Sequence, residues 1–116
     1  MSISRVEAEQ RAFAQSVRVT SDRLFVLLRD GREISAPLSW YPRLDNSQPR
    51  ERQKWELIGR GTGIHWPELD EDISVDGLLA GRRSGERPAS IKRWLQSRKA
   101  AAKQRGRQTA GRSARR

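Results

Sequence analysis

The only histidine of the chain, His65, stands just before a run of acidic residues, and this grouping is the first that suggests chemistry. A histidine beside carboxylates can act as a general base or bind a metal ion. The acids here are Glu68, Asp70, Glu71 and Asp72, and one histidine with such neighbours matches no recognised ligand spacing. We therefore interpret His65 as a structural residue at a strand end and predict neither a catalytic residue nor a metal site.

Three glycines, Gly59, Gly61 and Gly63, form a G-x-G-x-G pattern that could cradle a phosphate group. A dinucleotide-binding loop of this kind needs a strand before the glycines and a helix after them. The flanking residues predict the opposite order, with a helix before and a strand after. The pattern is therefore predicted to be a turn.

Other catalytic signatures are missing from the sequence. It contains no G-x-S-x-G elbow and no phosphate-binding lysine motif. The lack of cysteine excludes disulfides, thiolate metal sites and cysteine nucleophiles. We expect a non-enzymatic protein without a cofactor, and an enzyme that depends on His65 is the least favoured alternative.

The positive charge is concentrated at the C-terminal end. Residues 1–81 contain 11 Lys/Arg against 13 Asp/Glu, a net charge of −2, whereas residues 82–116 contain 13 Lys/Arg and one acid, Glu86. Such a segment suits contact with phosphates, which releases condensed counterions and needs no fixed geometry. A solubilising tail is the alternative. The residues predicted to bind DNA or RNA are Arg82, Arg83, Arg87, Lys92, Arg93, Arg98, Lys99, Lys103, Arg105 and Arg107.

A second set of residues is predicted to bind a protein partner. Exposed aromatic side chains often anchor interfaces, and an acidic run suits a basic partner. A solvated face is the alternative interpretation of the acidic run. Trp55 and Trp66 are instead assigned to the core, since large aromatic side chains bury much apolar surface. The predicted partner-binding residues are Trp40, Tyr41, Glu68, Asp70, Glu71 and Asp72.

The elements that must position these residues indicate an α+β fold. The S-x-x-E pattern at Ser4 predicts an N-terminal helix over residues 1–15. Alternating and β-prone runs up to Ala36 predict a three-stranded antiparallel meander, with a hairpin at Asp30-Gly31.

Helices are predicted to follow the meander. Pro49–Ile58 is predicted as a central helix across the sheet, with Gly59 as its stop. Residues 64–66 are expected to be extended before Pro67, and Val75–Ala80 to form a short helix that Ser74 caps.

The predicted organisation is a compact domain over residues 16–81, followed by a basic segment over residues 82–116. Pro88–Arg98 favours a short helix. The remaining residues contain no large apolar side chain and are expected to be disordered. No stretch suits a membrane span or a signal peptide, so we expect a cytoplasmic protein.

Two stretches of this sequence are similar to a known family. They are residues 27–44 and 55–79, which include the elements Trp40-Tyr41-Pro42 and His65-Trp66-Pro67. In these features the chain resembles the small bacterial family catalogued as domain of unknown function 2442. The resemblance implies a compact α+β fold without an assigned activity. Members are often encoded beside small toxin-like proteins and look like the antitoxin halves of such pairs; the basic segment is not part of the family pattern.

The preferred hypothesis is an interaction module that resembles an antitoxin. Its domain would bind a basic, toxin-like protein, and its C-terminal segment would add nonspecific affinity for DNA or RNA. The alternative is a primary nucleic-acid-binding protein in which Arg43, Arg50 and Arg52 also contact the nucleic acid. A third hypothesis, binding to a membrane surface through Ile91 and neighbouring apolar residues, is less favoured because the anchor is small.

Overall fold

The computed structural model describes the backbone of residues 12–114 and the side chains of residues 12–104. Its strands form two antiparallel three-stranded sheets, each in sequence order. The first sheet contains β1 (Ala14–Val19), β2 (Arg23–Leu28) and β3 (Glu33–Pro37). The second contains β4 (Glu56–Ile58), β5 (Gly63–Trp66) and β6 (Glu71–Ser74).

Helices connect and follow the sheets. They are α1 (Pro42–Asp45), α2 (Pro49–Arg52), α3 (Val75–Leu79) and α4 (Pro88–Ala114), with single 3-10 turns at Leu38–Trp40 and Gly59–Gly61. This arrangement confirms the predicted α+β class. Within the described residues, no helix is both long and apolar enough to cross a membrane.

The first sheet is the predicted meander. Strand residues alternate between the two faces of a sheet, and on β2 this alternation buries Leu24, Val26 and Leu28. Gly31 has φ of +94° in the hairpin that joins β2 to β3, a backbone conformation that glycine adopts at little cost. The carboxylate of Asp30 accepts a hydrogen bond from the backbone N–H of Arg32 at 3.0 Å, so the predicted Asp-Gly hairpin is confirmed.

The second sheet corrects the prediction of a central helix over residues 49–58. Helix α2 ends at Arg52, and Glu56–Ile58 form strand β4. Leu57 pairs with Ile64, which is buried in the core, whereas Ile58 is 41% exposed. Pairing with β5 satisfies the backbone hydrogen-bonding groups of this segment. It therefore forms a strand, although the spacing of its apolar residues suggested a helix.

The short predicted helix near residue 75 is confirmed as α3. The Oγ of Ser74 accepts a hydrogen bond from the backbone N–H of Gly77 at 2.9 Å, which satisfies a donor left free by the first turn. Asp76 lies in that first turn, where its negative charge interacts favourably with the positive end of the helix dipole.

The core of the domain draws on both sheets and on the loops between them. Its largest fully buried side chain is Trp66, whose indole N–H donates to the backbone carbonyl of Arg52 at 3.0 Å. This hydrogen bond removes the cost of burying the indole nitrogen. The core assignment of Trp66 is thus confirmed, whereas Trp55, which directly precedes β4, is only half-buried.

The ends of the chain differ from the sequence interpretation. Residues 1–11 of the predicted N-terminal helix lie outside the described residues, and its last residues, Ala14 and Gln15, belong to β1. The chain divides into two units, at Ser84 and Gly85, instead of ending its compact part at Gly81.

The second unit consists mainly of α4. This helix includes the segment 88–98 that the sequence predicted as helical, and it continues to Ala114. The expected disorder of the last residues stays a prediction. The alanines at positions 100–102 explain the continuation locally, because alanine has the highest helix propensity.

Candidate functional site

A row of three ionisable side chains crosses the second sheet. Glu56 on β4 is paired with His65 on β5, and His65 is paired with Asp72 on β6. Residues opposite each other on neighbouring strands point to the same face, so the three side chains form one line on the side away from Ile64 and Trp66. The sequence placed His65 near acids along the chain, and the pairing of strands adds Glu56.

Both nitrogens of the His65 ring face carboxylates. Nδ1 is hydrogen bonded to Oδ1 of Asp72, and Nε2 lies 4.0 Å from Oε1 of Glu56. An imidazolium can donate from both nitrogens, whereas the neutral ring has one donor. This geometry therefore favours the charged form of His65.

The pKa of His65 is raised above its ordinary value of 6.5. The hydrogen bond to Asp72 is the largest cause, and partial desolvation of the ring opposes it. The negative charges of Asp72, Glu56 and Asp70 also raise the pKa. The cluster is thus a structural acid–histidine network whose net charge depends on pH.

The loop between β5 and β6 carries the other acidic residues. Leu69 is buried and anchors the loop, while Arg43 donates from Nη1 to the Leu69 carbonyl at 2.9 Å. Glu68 is exposed and forms an ion pair with Lys54 at 3.0 Å. Asp70 is also exposed and has φ of +49°, a conformation that aspartate tolerates better than most residues.

These residues define one feature, which we call the acidic surface. It contains Glu56, Glu68, Asp70 and Asp72. Of the acids predicted to bind a partner, Glu71 is the exception, because alternation turns it to the opposite face of β6. Glu71 is half-buried. The pKa of the Tyr41 hydroxyl is raised mainly by desolvation, and the negative charge of Glu71 raises it further.

The two aromatic residues predicted to bind a partner support the fold. Tyr41 is 3% exposed, and its hydroxyl donates to the backbone carbonyl of Arg82 at 3.1 Å. The carbonyl of Trp40 accepts from the backbone N–H of Ser84 at 2.9 Å. Arg83 stacks over the Trp40 ring, 4.9 Å from its centroid. Tyr41 is thereby removed from the candidate contact residues, and Trp40 is half-covered by the domain's own last residues.

The predicted nucleic-acid-binding cations have different environments. Arg83 and Arg98 are engaged with tryptophan rings, the latter 4.6 Å from the centroid of Trp94. Arg105 and Arg107 lie in the helical backbone of α4, and their side chains are outside the described ones. The other cations with described side chains are exposed; they are Arg82, Arg87, Lys92, Arg93, Lys99 and Lys103.

The domain arginines proposed for direct nucleic-acid contact are mostly structural. Arg52 is 9% exposed and donates to the carbonyls of Leu44 and Asp45 at the end of α1. Arg43 holds the acidic loop through the Leu69 carbonyl. Only Arg50 of that set is freely exposed.

Sequence reasoning missed a basic and aromatic group on the outer face of the first sheet. The guanidinium of Arg18 lies 4.0 Å from the centroid of the Phe25 ring. Arg23, on the same face, donates to the Ser35 hydroxyl at 3.1 Å. The alternation in β1 and β2 was the signal that could have found them, since it turns these residues away from the buried ones.

Among the residues that the structure describes, no group of three or more histidine, cysteine or acidic side chains is placed so that it could hold a metal ion. The glycine-rich segment is a turn between β4 and β5, as predicted. Gly59, Arg60 and Gly61 all have positive φ there.

The comparisons with known proteins agree with this architecture. The model of the family "Protein of unknown function (DUF2442)" matches residues 14–84. No curated protein matches. Among solved structures, a protein of unknown function from Rhodospirillum rubrum has a TM-score of 0.60 at 29% identity, covering 66% of this chain and 95% of that one. An uncharacterised protein from Chromobacterium violaceum has a TM-score of 0.59 at 25% identity, covering 71% and 76%. The family match covers most of the chain, and the protein therefore belongs to the DUF2442 family.

Proposed function

We propose that the protein is a non-enzymatic interaction module whose domain binds a basic protein partner through the acidic surface. The single observation that carries the proposal is the alignment of Glu56 and Asp72 on one sheet face, beside the exposed Asp70 and Glu68. Charges on a rigid sheet are held in fixed positions, which favours complementarity with a cationic surface and rapid association. The partner fits the description of a toxin-like protein, and the module that of an antitoxin.

The basic C-terminal segment gives the module a second role in this proposal. The exposed cations at 82, 87, 92, 93, 99 and 103 would contact phosphates of DNA or RNA without reading their sequence. This would keep the protein and its bound partner near nucleic acid. Neither role requires a reaction, a cofactor or a metal ion.

The acidic surface is tested by charge neutralisation. The triple variant Glu68→Gln, Asp70→Asn, Asp72→Asn removes three charges, and asparagine tolerates the positive φ at position 70. Immobilised wild-type and variant proteins would be exposed to a lysate of the source organism, and the retained proteins quantified by mass spectrometry. A basic protein retained by the wild type and lost by the variant is the expected result, to be confirmed with the purified pair.

The control neutralises two exposed acids away from the acidic surface, with Asp22→Asn in the turn between β1 and β2 and Glu33→Gln in β3. It should retain the partner as the wild type does. An identical set of retained proteins for all three baits would refute the acidic surface as the binding site.

The nucleic-acid role has its own measurement. Fluorescence anisotropy of labelled duplex DNA and single-stranded RNA would be followed with the full chain and with residues 1–84, at low and high salt. Counterion release predicts that the full chain binds and that its affinity falls steeply with salt. Salt-insensitive binding would contradict an electrostatic role for the segment.

A further inference from the structure

The outer face of the first sheet carries a combination of side chains that the acidic surface lacks. Arg18 on β1 lies opposite Phe25 on β2, which lies opposite Ser35 on β3, so the three residues form one row. Arg23 precedes Phe25 by two positions and points to the same side. We call these four residues the stacking face.

The two arginines of the stacking face are held in place by their neighbours. The Arg18 guanidinium lies 4.0 Å above the Phe25 ring, and Arg23 donates to Ser35 at 3.1 Å. Phe25 is half-buried while Arg18 is exposed, so the flat guanidinium has one side against the ring and the other open. A guanidinium fixed in this manner loses little side-chain entropy on binding.

The chemistry of the face selects its ligand. Nucleobases stack on aromatic rings and on arginine planes, and phosphates between the bases pair with guanidinium groups. The acid on this face of the sheet is Glu33, one row beyond Phe25, opposite Leu27. The row that contains Arg18 and Phe25 thus presents positive charge and a flat surface together.

We propose that the stacking face binds single-stranded nucleic acid, with one base stacked on the Arg18–Phe25 pair and a neighbouring phosphate on Arg23. A paired duplex does not offer an unstacked base, so single strands are the ligand that this surface fits. The proposal goes beyond the acidic surface and the basic C-terminal segment, because it assigns a separate site to the domain itself.

The test uses the full chain and single strands of about twelve nucleotides, a length that a sheet of this kind can cover. One strand is oligo-dU and the other oligo-U, each with a central 2-aminopurine whose fluorescence is quenched by stacking. Titrations at elevated salt suppress the purely electrostatic contacts of the C-terminal segment. The wild type should quench the probe, and the ratio between the two strands will show whether ribose or deoxyribose is preferred.

Variants separate stacking from charge. Phe25→Leu and Arg18→Gln should each weaken binding by about fivefold or more and reduce the quenching, as loss of one stacking contact predicts. Phe25→Tyr keeps the ring and should bind like the wild type. Arg50→Gln removes the same charge from an exposed site outside the face and should change the affinity less than about twofold.

The outcomes are distinct. Arg18 is exposed, so Arg18→Gln remains informative even where Phe25→Leu perturbs folding. Equal affinity and equal quenching for Arg18→Gln, Phe25→Leu and Arg50→Gln would overturn the proposal. The proposed role of the acidic surface would be unaffected, since its residues lie on the second sheet and on the loop between β5 and β6.

Discussion

Arg52 is a charged side chain that the domain uses as an internal hydrogen-bond donor. It is 9% exposed, and its own carbonyl accepts from Trp66. Its guanidinium reaches oxygens in four neighbours, namely the carbonyls of Leu44 at 3.1 Å, Asp45 at 3.1 Å and Thr20 at 3.4 Å, and the Ser47 hydroxyl at 3.1 Å. Burial of a cation is tolerated here because these oxygens replace its hydration.

Replacement of Arg52 should therefore destabilise the domain. Arg52→Met leaves the oxygens unpaired, and we expect a loss of about 3 kcal/mol in the free energy of unfolding. Arg52→Lys should recover little of it, because an ammonium group cannot reproduce the guanidinium fork. Urea denaturation followed by circular dichroism measures both changes.

Arg50→Met is the control for this experiment, since Arg50 is exposed in the same helix. It should change stability by no more than about 0.5 kcal/mol. Similar stabilities for the Arg50 and Arg52 variants would disprove the structural role of Arg52.

The His65–Asp72 contact predicts a pH dependence that a single resonance can follow. His65 is the only histidine, so the proton on Cε1 of its ring gives a single titrating NMR signal. Its pKa should lie above 6.5 in the wild type and fall in Asp72→Asn, because the hydrogen bond to Asp72 is the main cause of the shift. Glu33→Gln, an exposed acid on the other sheet, should leave the titration unchanged.

The same contact links pH to stability. A pKa raised in the folded state means that protonation of His65 favours folding. This contribution is fully present below pH 6.5, the ordinary pKa, and is lost as the pH rises through the folded-state pKa. The stability advantage of the wild type over Asp72→Asn should accordingly shrink with rising pH. An advantage that grows over this range would contradict the assignment.

Among the connecting elements, the turn at Gly59–Gly61 imposes the tightest steric demand. Gly61 has φ of +97°, and a Cβ atom there would lie 2.7 Å from the carbonyl oxygen of Ala14. Gly31 has a similar φ of +94° and nothing within 4 Å of such an atom. A comparison of Gly31 with Gly61 therefore distinguishes the cost of a positive φ from the cost of a steric clash.

We expect Gly31→Ala to cost about 1 kcal/mol of stability from the positive φ alone. Gly61→Ala should cost clearly more, because β1 and the turn must also move apart. Thermal unfolding of the two variants measures the difference. Equal losses of stability in the two variants would mean that the turn can move away from β1 at no energetic cost.

The elements predicted correctly from the sequence are those with a strong local signal. The Asp30-Gly31 hairpin has turn residues between β-prone runs, and Ser74 is a good N-cap directly before α3. Strands β4 and β6 have only three and four residues, too few for alternation to distinguish them from helix. Their identity depends on pairing with β5, which is a tertiary effect.

The candidate site likewise has some features that the local sequence shows and others that depend on strand pairing. The proximity of His65 and Asp72 was visible along the chain, whereas Glu56 joins them only through the pairing of β4 with β5. The stacking of Arg18 on Phe25 likewise requires the register of two strands. Burial of Tyr41 could not be inferred from the local sequence, because the residues that cover it come from elsewhere in the domain.

At the scale of the whole molecule, the first unit extends to Ser84. The contacts of Trp40 and Tyr41 with residues 82–84 explain why the domain does not end at Gly81. These contacts bring the first cations of the basic segment, Arg82 and Arg83, onto the domain. The family match, which ends at residue 84, has the same limit.

Truncation at the two boundaries should give domains of different stability. A protein ending at residue 81 lacks the hydrogen bond from the Tyr41 hydroxyl to the Arg82 carbonyl and the one from the Ser84 N–H to the Trp40 carbonyl. It also lacks the stacking of Arg83 on the Trp40 ring. We expect it to be less stable than residues 1–84 by about 2 kcal/mol. Denaturant unfolding compares them, and Tyr41→Phe in residues 1–84 should lose about half of that difference. Equal midpoints for the two truncations would assign residues 82–84 no role in folding.

The buried indole N–H of Trp66 can report on transient opening of the domain core. This N–H is bonded to the Arg52 carbonyl and has no access to solvent, so deuterium can replace the proton only when that region opens. The N–H groups of tryptophans that are only partly buried should exchange through smaller fluctuations. The exchange rate of one indole proton will therefore report how often the core is exposed under native conditions, without any added denaturant.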